Sequence, residues 1–312
     1  MSRRFSFDLY RLNIEDSNDL FAQSQLKRLR RDEDIAAVLE KATEPEQDQL
    51  QKTRSAVFEW GVREFRNLTD DSPKRPLLHV VLARSVLERN GDIVTDQGMT
   101  TGTSSLNPPL ASTAVCIFDL SRHLVAVEHT AQLAPTAWKD FFERILSTAA
   151  NRLDFWSSIA LEPIPEQNGI VGLFLSFERL TRMRLTLRIP NPELNRYTKL
   201  LYEDLSRSGI REITQDMKNP NGLSKKEEAL PFASAVLAEQ GYKKGDVQFE
   251  GLRNGGFEQA TSGSLAARGN VRGLREYVRG MHANAKTKEA QRALAAITAE
   301  IDRLHPVPGF DE

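Results

Sequence analysis

The sequence predicts an α+β protein, in which an N-terminal antiparallel β-rich domain with helices precedes a ferredoxin-like α/β domain with terminal helices. Three patterns support this prediction. Apolar and polar residues alternate at the start of the chain, two apolar runs joined near Ser121 predict a β-hairpin, and strands alternate with helices in the second half. We therefore place the domain boundary after residue 151, which gives domains 1–151 and 152–312.

The first domain is predicted to consist mainly of strands. Phe5, Phe7 and Leu9 lie at period two and therefore share one strand face. Three further strand regions follow, namely VFEWGVREF, PLLHVVLARSVL and the hairpin STAVCIFDLSRHLVAVEHTA. A charged insertion at about residues 17–54 is predicted to be helical, and TAWKDFFERILSTAANRL is predicted to be an amphipathic helix.

One segment of this domain is predicted to be a long loop. Its sequence, RNGDIVTDQGMTTGTSSLNPPL, is dense in Gly, Ser, Thr, Asn and Pro, the residues that favour turns. We therefore expect it to lie outside the core.

The second domain is predicted to alternate between strands and helices. The predicted strands are WSSIALEPI, RMRLTLRIP, IREITQDM and GDVQFEGLR. The predicted helices are GIVGLFLSFERL, PELNRYTKLLYEDLSRSG, KKEEALPFASAVLAEQ and the final TKEAQRALAAITAEIDRL, and Gly209 is expected to end the second of them. A split βαβ unit is the simplest arrangement of this order.

Charge and composition exclude several classes of protein. The formal net charge of the 312 residues is −1, so the molecule as a whole is not attracted to DNA or to a membrane surface. The single cysteine, Cys116, excludes an intramolecular disulfide and a multi-cysteine zinc site. The longest apolar run, around Gly169 to Phe177, is too short to span a bilayer, and the N-terminus does not resemble a signal peptide. We expect a cytoplasmic protein without membrane insertion.

A basic helical segment is predicted at 268–286. Arg268, Arg272, Arg275 and Arg279 lie at spacings of 4, 3 and 4, which places them on one helix face, and Lys286 continues the line. Together with Arg253 and Lys288, and opposed only by Glu258 and Glu276, these cations give residues 252–288 a charge of about +5. Guanidinium groups at this spacing favour contacts to the phosphates of double-stranded DNA. The alternative is a solvated or ion-paired helix face.

A second basic surface is predicted on a strand. Arg182, Arg184 and Arg188 are separated by even numbers of residues and therefore share one face of RMRLTLRIP. They would extend the DNA-binding track, unless a neighbouring helix covers them.

The sequence contains no recognisable catalytic motif. P-loop, Rossmann and serine hydrolase patterns are absent, and no cofactor is expected. Asp92 and Asp96 lie four residues apart and leave open a third alternative, a metal-dependent nuclease.

The order of elements resembles the phage-exclusion protein RexA and KwaB-like proteins of Kiwa antiphage systems. The resemblance extends over residues 77–300, from the hairpin STAVCIFDLSRHLVAVEHTA and the helix TAWKDFFERIL to RMRLTLRIP, AVLAEQGYKKGDVQFEGLR and the basic segment. It implies a two-domain, homodimeric DNA-binding protein of phage defence, and not an enzyme. Our hypothesis is a DNA-binding sensor or effector of abortive infection. The alternative is a protein-protein interaction subunit that binds a second defence-system protein.

Overall fold

A computed structural model of the chain describes residues 4–16, 29, 31–69, 75–105, 107–133, 137–155, 157–166, 169–188, 197–263, 265–272, 274 and 288–306. The predicted α+β class is confirmed, because antiparallel strands and helices share the chain. None of the described helices has the length and apolar character needed to cross a membrane.

The chain forms two compact units. Unit N contains Ile14–Ser121 and Val127–Ala160, and unit C contains Met1–Asn13, Arg122–Ala126 and Leu161–Glu312. The start of the chain therefore belongs with its C-terminal half, whereas the sequence boundary at residue 151 assigned it to the first domain. The reason is strand pairing, because the first strand pairs with a strand near residue 270.

Unit N is an antiparallel sheet with two helices. Its strands are β2 (Gln49–Lys52), β3 (Ala56–Asn67), β4 (Leu77–Thr95), β5 (Gly98–Ser105) and β6 (Ala111–Asp119), and its helices are α1 (Asp32–Lys41) and α2 (Ala137–Arg152). The strand order is β6-β4-β3-β2, and β5 pairs with the distal part of β4. Trp60, Phe118 and Phe142 are fully buried in its core.

The segment predicted to be a long loop is instead a β-hairpin. We call residues 88–95 of β4 together with β5 the β4–β5 arm, whose register runs from Glu88 opposite Ser105 to Thr95 opposite Gly98. Its β-branched Ile, Val and Thr residues favour strands, and Gly98, with φ +126, allows the tight turn. The arm is largely exposed, so its predicted position outside the core is confirmed.

Unit C contains a four-stranded antiparallel sheet in the order β10-β9-β11-β12. Its strands are β9 (Arg179–Arg188), β10 (Glu212–Lys218), β11 (Gln248–Arg253) and β12 (Gly256–Thr261), and its helices are α3 (Gly169–Ser176), α4 (Lys199–Arg207), α5 (Leu230–Leu237) and α6 (Lys288–Leu304). The strands β10 and β11 are both antiparallel to β9, which lies between them. With α5 they form the predicted split βαβ unit, after which β11 and β12 form a hairpin.

Helix ends in unit C are defined by specific residues. Gly209, with φ +65, follows α4 and confirms the predicted helix end. The backbone N–H groups of Ile170 and Val171 at the start of α3 donate to Glu239 Oε2 at 3.0 and 2.7 Å. A carboxylate at this position satisfies free N–H groups and complements the helix dipole.

The strand β1 (Arg4–Asp16), most of which belongs to unit C, pairs with β13 (Arg268–Arg272) in that unit. The strands β7 (Leu124–Glu128) and β8 (Ser157–Pro163) are also neighbours of β1. Phe5, Phe7 and Leu9 are fully buried on one face of β1, as their period-two spacing predicts. The N-terminal strand is thus anchored by its apolar face.

A buried histidine in unit N lies beside an irregularity of β3. The β3–β4 register slips between Arg63 and Arg66, and the ring of His79 donates from Nδ1 to the Glu64 carbonyl oxygen at 3.0 Å. Burial lowers the pKa of His79 to about 4. The charge of Arg66 also lowers this pKa, whereas the hydrogen bond to Glu64 raises it. The folded protein therefore holds His79 neutral.

We expect unit N to lose stability as the pH falls from about 6.5 to about 4. In this window the unfolded chain binds a proton at His79 that the folded chain excludes, so acid favours unfolding by an amount on the order of 2 kcal/mol. Urea unfolding followed by tryptophan fluorescence at several pH values measures the loss. His79→Gln should reduce the pH dependence, whereas the same change at exposed His129 should not; equal slopes in both variants would contradict the prediction.

Candidate nucleic-acid interface

The strand β9 carries a row of arginines on the outer face of the four-stranded sheet. Met183, Leu185 and Leu187 are buried on the inner face, and Arg182 and Arg184 alternate with them. The alternation that predicts one basic strand face is therefore confirmed.

Carboxylates on the neighbouring strands pair with these arginines. Arg182 donates through Nε and Nη2 to both carboxylate oxygens of Asp216 on β10, at 2.8 and 2.9 Å, and through Nη1 to Glu250 on β11 at 3.1 Å. Arg184 and Lys218 approach the same Asp216 oxygen at 3.3 and 3.1 Å. The hydrogen bond from Arg182 holds the pKa of Asp216 well below its usual range, so this carboxylate stays charged.

A second ion-paired group lies farther along the same face. Arg188 Nε and Lys244 Nζ are each 3.1 Å from Glu212 Oε2. Partial burial opposes the ionisation of Glu212, but the hydrogen bonds from Arg188 and Lys244 outweigh it and lower its pKa. Glu212 therefore neutralises the end of the row.

The outer sheet face is an ion-pair network with a small excess of positive charge. Its five cations share three carboxylates. The side chains of Arg184 and Lys218 remain 50 and 59% exposed, whereas those of Arg182 and Arg188 are only 25 and 16% exposed. Arg182, Arg184 and Arg188 therefore do not form a row of free guanidinium groups, because each of them is paired with a carboxylate.

The basic segment predicted to be a helix begins as a strand, so the prediction is wrong for residues 268–272. β13 pairs antiparallel with β1, with Arg268 opposite Asp8 and Arg272 opposite Arg4. Val271 is buried, and a Cβ at Gly269 would lie 2.3 Å from the ring of Phe7. β-Branched and glycine residues disfavour a helix, and pairing with β1 offers the backbone a ladder instead.

Both the side chains and the backbone of β13 contact neighbouring residues. Arg268 Nε lies 2.8 Å from Asp8 Oδ1, and its side chain remains 49% exposed. The backbone N–H of Asn270 donates to Glu300 Oε1 on α6 at 3.0 Å. The backbone of Arg272 lies in β13, and the positions of Arg275, Arg279 and Lys286 fall outside the described residues.

Arg253, at the end of β11, is also paired. Its Nη1 lies 3.6 Å from Glu258 Oε2 on β12, and its guanidinium group lies 5.8 Å from the ring centre of Phe177. The predicted DNA-binding arginines whose side chains are described therefore all contact a carboxylate.

Sequence reasoning missed these carboxylate partners. Glu212 and Asp216 lie opposite Arg188 and Arg184 in the register of β10 and β9. The even spacing of Glu212, Asp216 and Lys218 places them on one face of a strand, which is the signal that pointed to pairing. It does not reveal which strand lies beside β10.

The residues of the nuclease alternative lie on the β4–β5 arm. Asp92 accepts a hydrogen bond from Thr101 Oγ1 at 3.3 Å, and Asp96 lies in the turn. Within the described ranges, no group of three or more His, Cys, Asp or Glu residues is arranged to hold a metal ion. The structure thus offers this alternative no support.

A cleft of about 450 Å³ beside α4 differs from the basic surfaces. Leu201 and Ala233 line it, and its carboxylates are Asp204, Glu227 and Glu228. A cleft of this size suits a ligand or a partner side chain, but its carboxylates repel phosphate. It therefore does not extend a DNA-binding surface.

Comparison with known proteins identifies one family. Residues 92–262, more than half of the chain, match the family described as a domain of unknown function, DUF4747. The matched residues include β9, its carboxylate partners and the acidic cleft, and they end before β13. No curated protein matches the chain.

Proposed function

The chain belongs to the DUF4747 family, and we propose that it binds double-stranded DNA mainly through the phosphate backbone. The observation that carries this proposal is the charge of residues 252–288, which is about +5 in a chain whose formal charge is −1. Phosphate binding depends on such local segregation, because each bound phosphate is neutralised by a nearby Lys or Arg.

The strand β13 gives the basic segment a fixed beginning. Among the described strands it is the outermost of its sheet, and the Cα atoms of Arg268 and Arg272 are about 13 Å apart along it. The side chain of Arg268 remains 49% exposed in its ion pair with Asp8, whereas the side chain of Asp8 is only 17% exposed. Because a mostly buried carboxylate is costly to leave unpaired, Arg268 stays paired with Asp8 and fixes the start of the segment.

We expect the affinity for a DNA duplex to fall steeply with salt, with a slope of log affinity against log salt of about −3 to −4. Arg253 and Arg268 already contact carboxylates, which leaves about four phosphates to be neutralised by the rest of the segment. Fluorescence anisotropy of a labelled duplex, titrated at several salt concentrations, measures this slope. A slope near zero would contradict phosphate binding.

Charge reversal tests which basic residues bind the DNA. The test variant changes Arg268, Arg272, Arg275 and Arg279 to Glu. The matched control makes the same change at four exposed cations of unit N, Lys52, Arg54, Arg89 and Arg152. We expect the test variant to bind at least ~100-fold more weakly and the control to retain most of its affinity. Equal losses would show that net charge alone governs binding.

We place this DNA binding in bacterial antiphage defence, as a sensor or effector that acts as a homodimer. The support is the resemblance in element order to RexA and KwaB-like proteins. Cells that carry the gene and its neighbours should form fewer plaques when challenged with phage, and the four-arginine variant should lose this protection. Full protection by a variant that no longer binds DNA would separate defence from DNA binding.

The second candidate function is a protein-protein interaction subunit of a defence complex. The acidic cleft favours it, because Leu200 and Leu230 are 68 and 47% exposed at its edge and offer apolar surface to a partner. Nucleic acid that copurifies with the protein and is removed by high salt supports the first candidate. A stable protein partner without nucleic acid supports the second.

A further inference from the structure

The outer edge of β5 is open. In the part of the chain that the structure describes, β5 pairs with β4 alone. The register runs without a break from Gly98 to Ser105, so no bulge interrupts the strand. Its free edge therefore presents the backbone N–H and C=O groups that a further strand needs for pairing.

This edge lacks the devices with which proteins usually protect an exposed strand. The sequence of β5, GMTTGTSS, contains neither a charged residue nor a proline. The strand β4 differs within the same arm, because it carries Glu88, Arg89 and Asp92. Of the two strands of the arm, β5 is thus the one that is open to pairing.

The β4–β5 arm also has little to stabilise it in isolation. Two-stranded ribbons are marginally stable in water, and nearly every residue of β5 is exposed. Val94 and Met99 lie opposite each other near the turn, and their exposures are 78 and 71%. An additional strand would add the cross-strand contacts that the arm lacks.

We propose that β5 pairs antiparallel with β5 of a second copy, so that two arms form a four-stranded sheet in a two-fold symmetric homodimer. Such an interface brings each strand against an identical strand, and a charged strand would then face its own charge. The uncharged, Thr-rich β5 avoids this repulsion, and Thr–Thr and Thr–Ser pairs across strands are favourable. The inference rests on the homodimer of the proposed function and specifies its interface, and it is independent of DNA binding because it involves no residue of the basic segment.

Lysine substitutions test this pairing. Thr101→Lys with Thr103→Lys places like charges against each other across the two-fold axis. Asn90→Lys with Thr95→Lys adds the same charge to β4 and serves as the matched control. Sedimentation equilibrium should show that the dimer dissociation constant of the β5 variant is at least tenfold higher than that of the unmodified protein. The control variant should have a dissociation constant close to that of the unmodified protein. Far-UV circular dichroism should be unchanged in both variants. A monomeric unmodified protein, or equal effects of both variants, would overturn the proposal.

Cysteine cross-linking locates the contact directly. Cys116 is buried, so a cysteine introduced on the arm supplies an accessible thiol for cross-linking. Single variants Met99→Cys, Thr101→Cys and Thr103→Cys sample the length of β5, and at least one should form a covalent dimer with a short bismaleimide. Asn90→Cys on β4 is the control. A dimer that none of the β5 cysteines cross-links would show that the copies meet elsewhere.

Discussion

Replacing Trp60 by alanine is expected to lower the free energy of unfolding of unit N by about 4 kcal/mol. Trp60 is fully buried on β3, and its ring stacks on Phe141 of α2 with a centroid distance of 5.2 Å and an interplanar angle of 4°. Its Nε1–H donates to Gln51 Oε1 on β2 at 2.8 Å. The substitution removes the stack and the hydrogen bond and leaves a large cavity between a strand and a helix.

Urea unfolding followed by tryptophan fluorescence measures this loss, because all three tryptophans lie in the sequence of unit N and two remain in the variant. Trp60→Phe keeps an aromatic ring but not the hydrogen bond, and should cost less. Leu50→Ala, at a 57% exposed position on β2, should change stability by less than about 0.5 kcal/mol. A Trp60→Ala variant as stable as Leu50→Ala would contradict the packing of α2 on the sheet.

The parts of the fold that the sequence predicted are those with strong local patterns. The alternation of Phe5, Phe7 and Leu9 specifies one buried strand face, and the structure buries all three. The helix α4 ends just before Gly209, whose positive φ is the left-handed conformation that commonly closes a helix. In each case, residues close in sequence determine the structure, so no knowledge of distant partners is needed.

The parts that the sequence misassigned depend on partners far along the chain. Residues 268–272 have an arginine spacing that fits a helix, but β1, more than 250 residues away, offers Phe5 and Phe7 for strand pairing. The Gly and Ser content of the β4–β5 arm predicts a loop and obscures the Thr, Val and Ile residues that favour strands. Intrinsic helix and turn propensities are small free energies per residue, so pairing with a distant strand can override them.

The charge of a residue could be predicted from the sequence, but its electrostatic partners could not. Arg182 lies in a predicted basic strand, yet Asp216 is 34 residues away and Glu250 is 68 residues away. The pairing depends on the strand order β10-β9-β11, which places Asp216 on one side of Arg182 and Glu250 on the other. For this reason the proposed DNA contacts are centred on the segment that begins with β13 and not on the sheet.

Gly251→Ala is expected to destabilise unit C by about 3 kcal/mol, since added atoms in a packed core cost most where the neighbours cannot move. A Cβ at this position would lie 2.2 Å from the carbonyl oxygen of Arg179 and 2.9 Å from the Cα of Leu180. Both are backbone atoms of β9, so no side-chain rotation relieves the contact. The register between β11 and β9 also slips between Glu250 and Gly251, which brings the two backbones together here.

Gly256→Ala is the matched control for this close approach. Gly256 lies on β12 of the same hairpin, opposite Arg253, and a Cβ there would meet no atom within 4 Å. Far-UV circular dichroism during thermal unfolding should show a lower transition for Gly251→Ala and little change for Gly256→Ala. Tryptophan fluorescence, which reports on unit N, shows whether the loss is confined to unit C. Equal transitions in the two variants would mean that β9 and β11 do not approach at Gly251, and the register that places Glu250 beside Arg182 would then have to be reassigned.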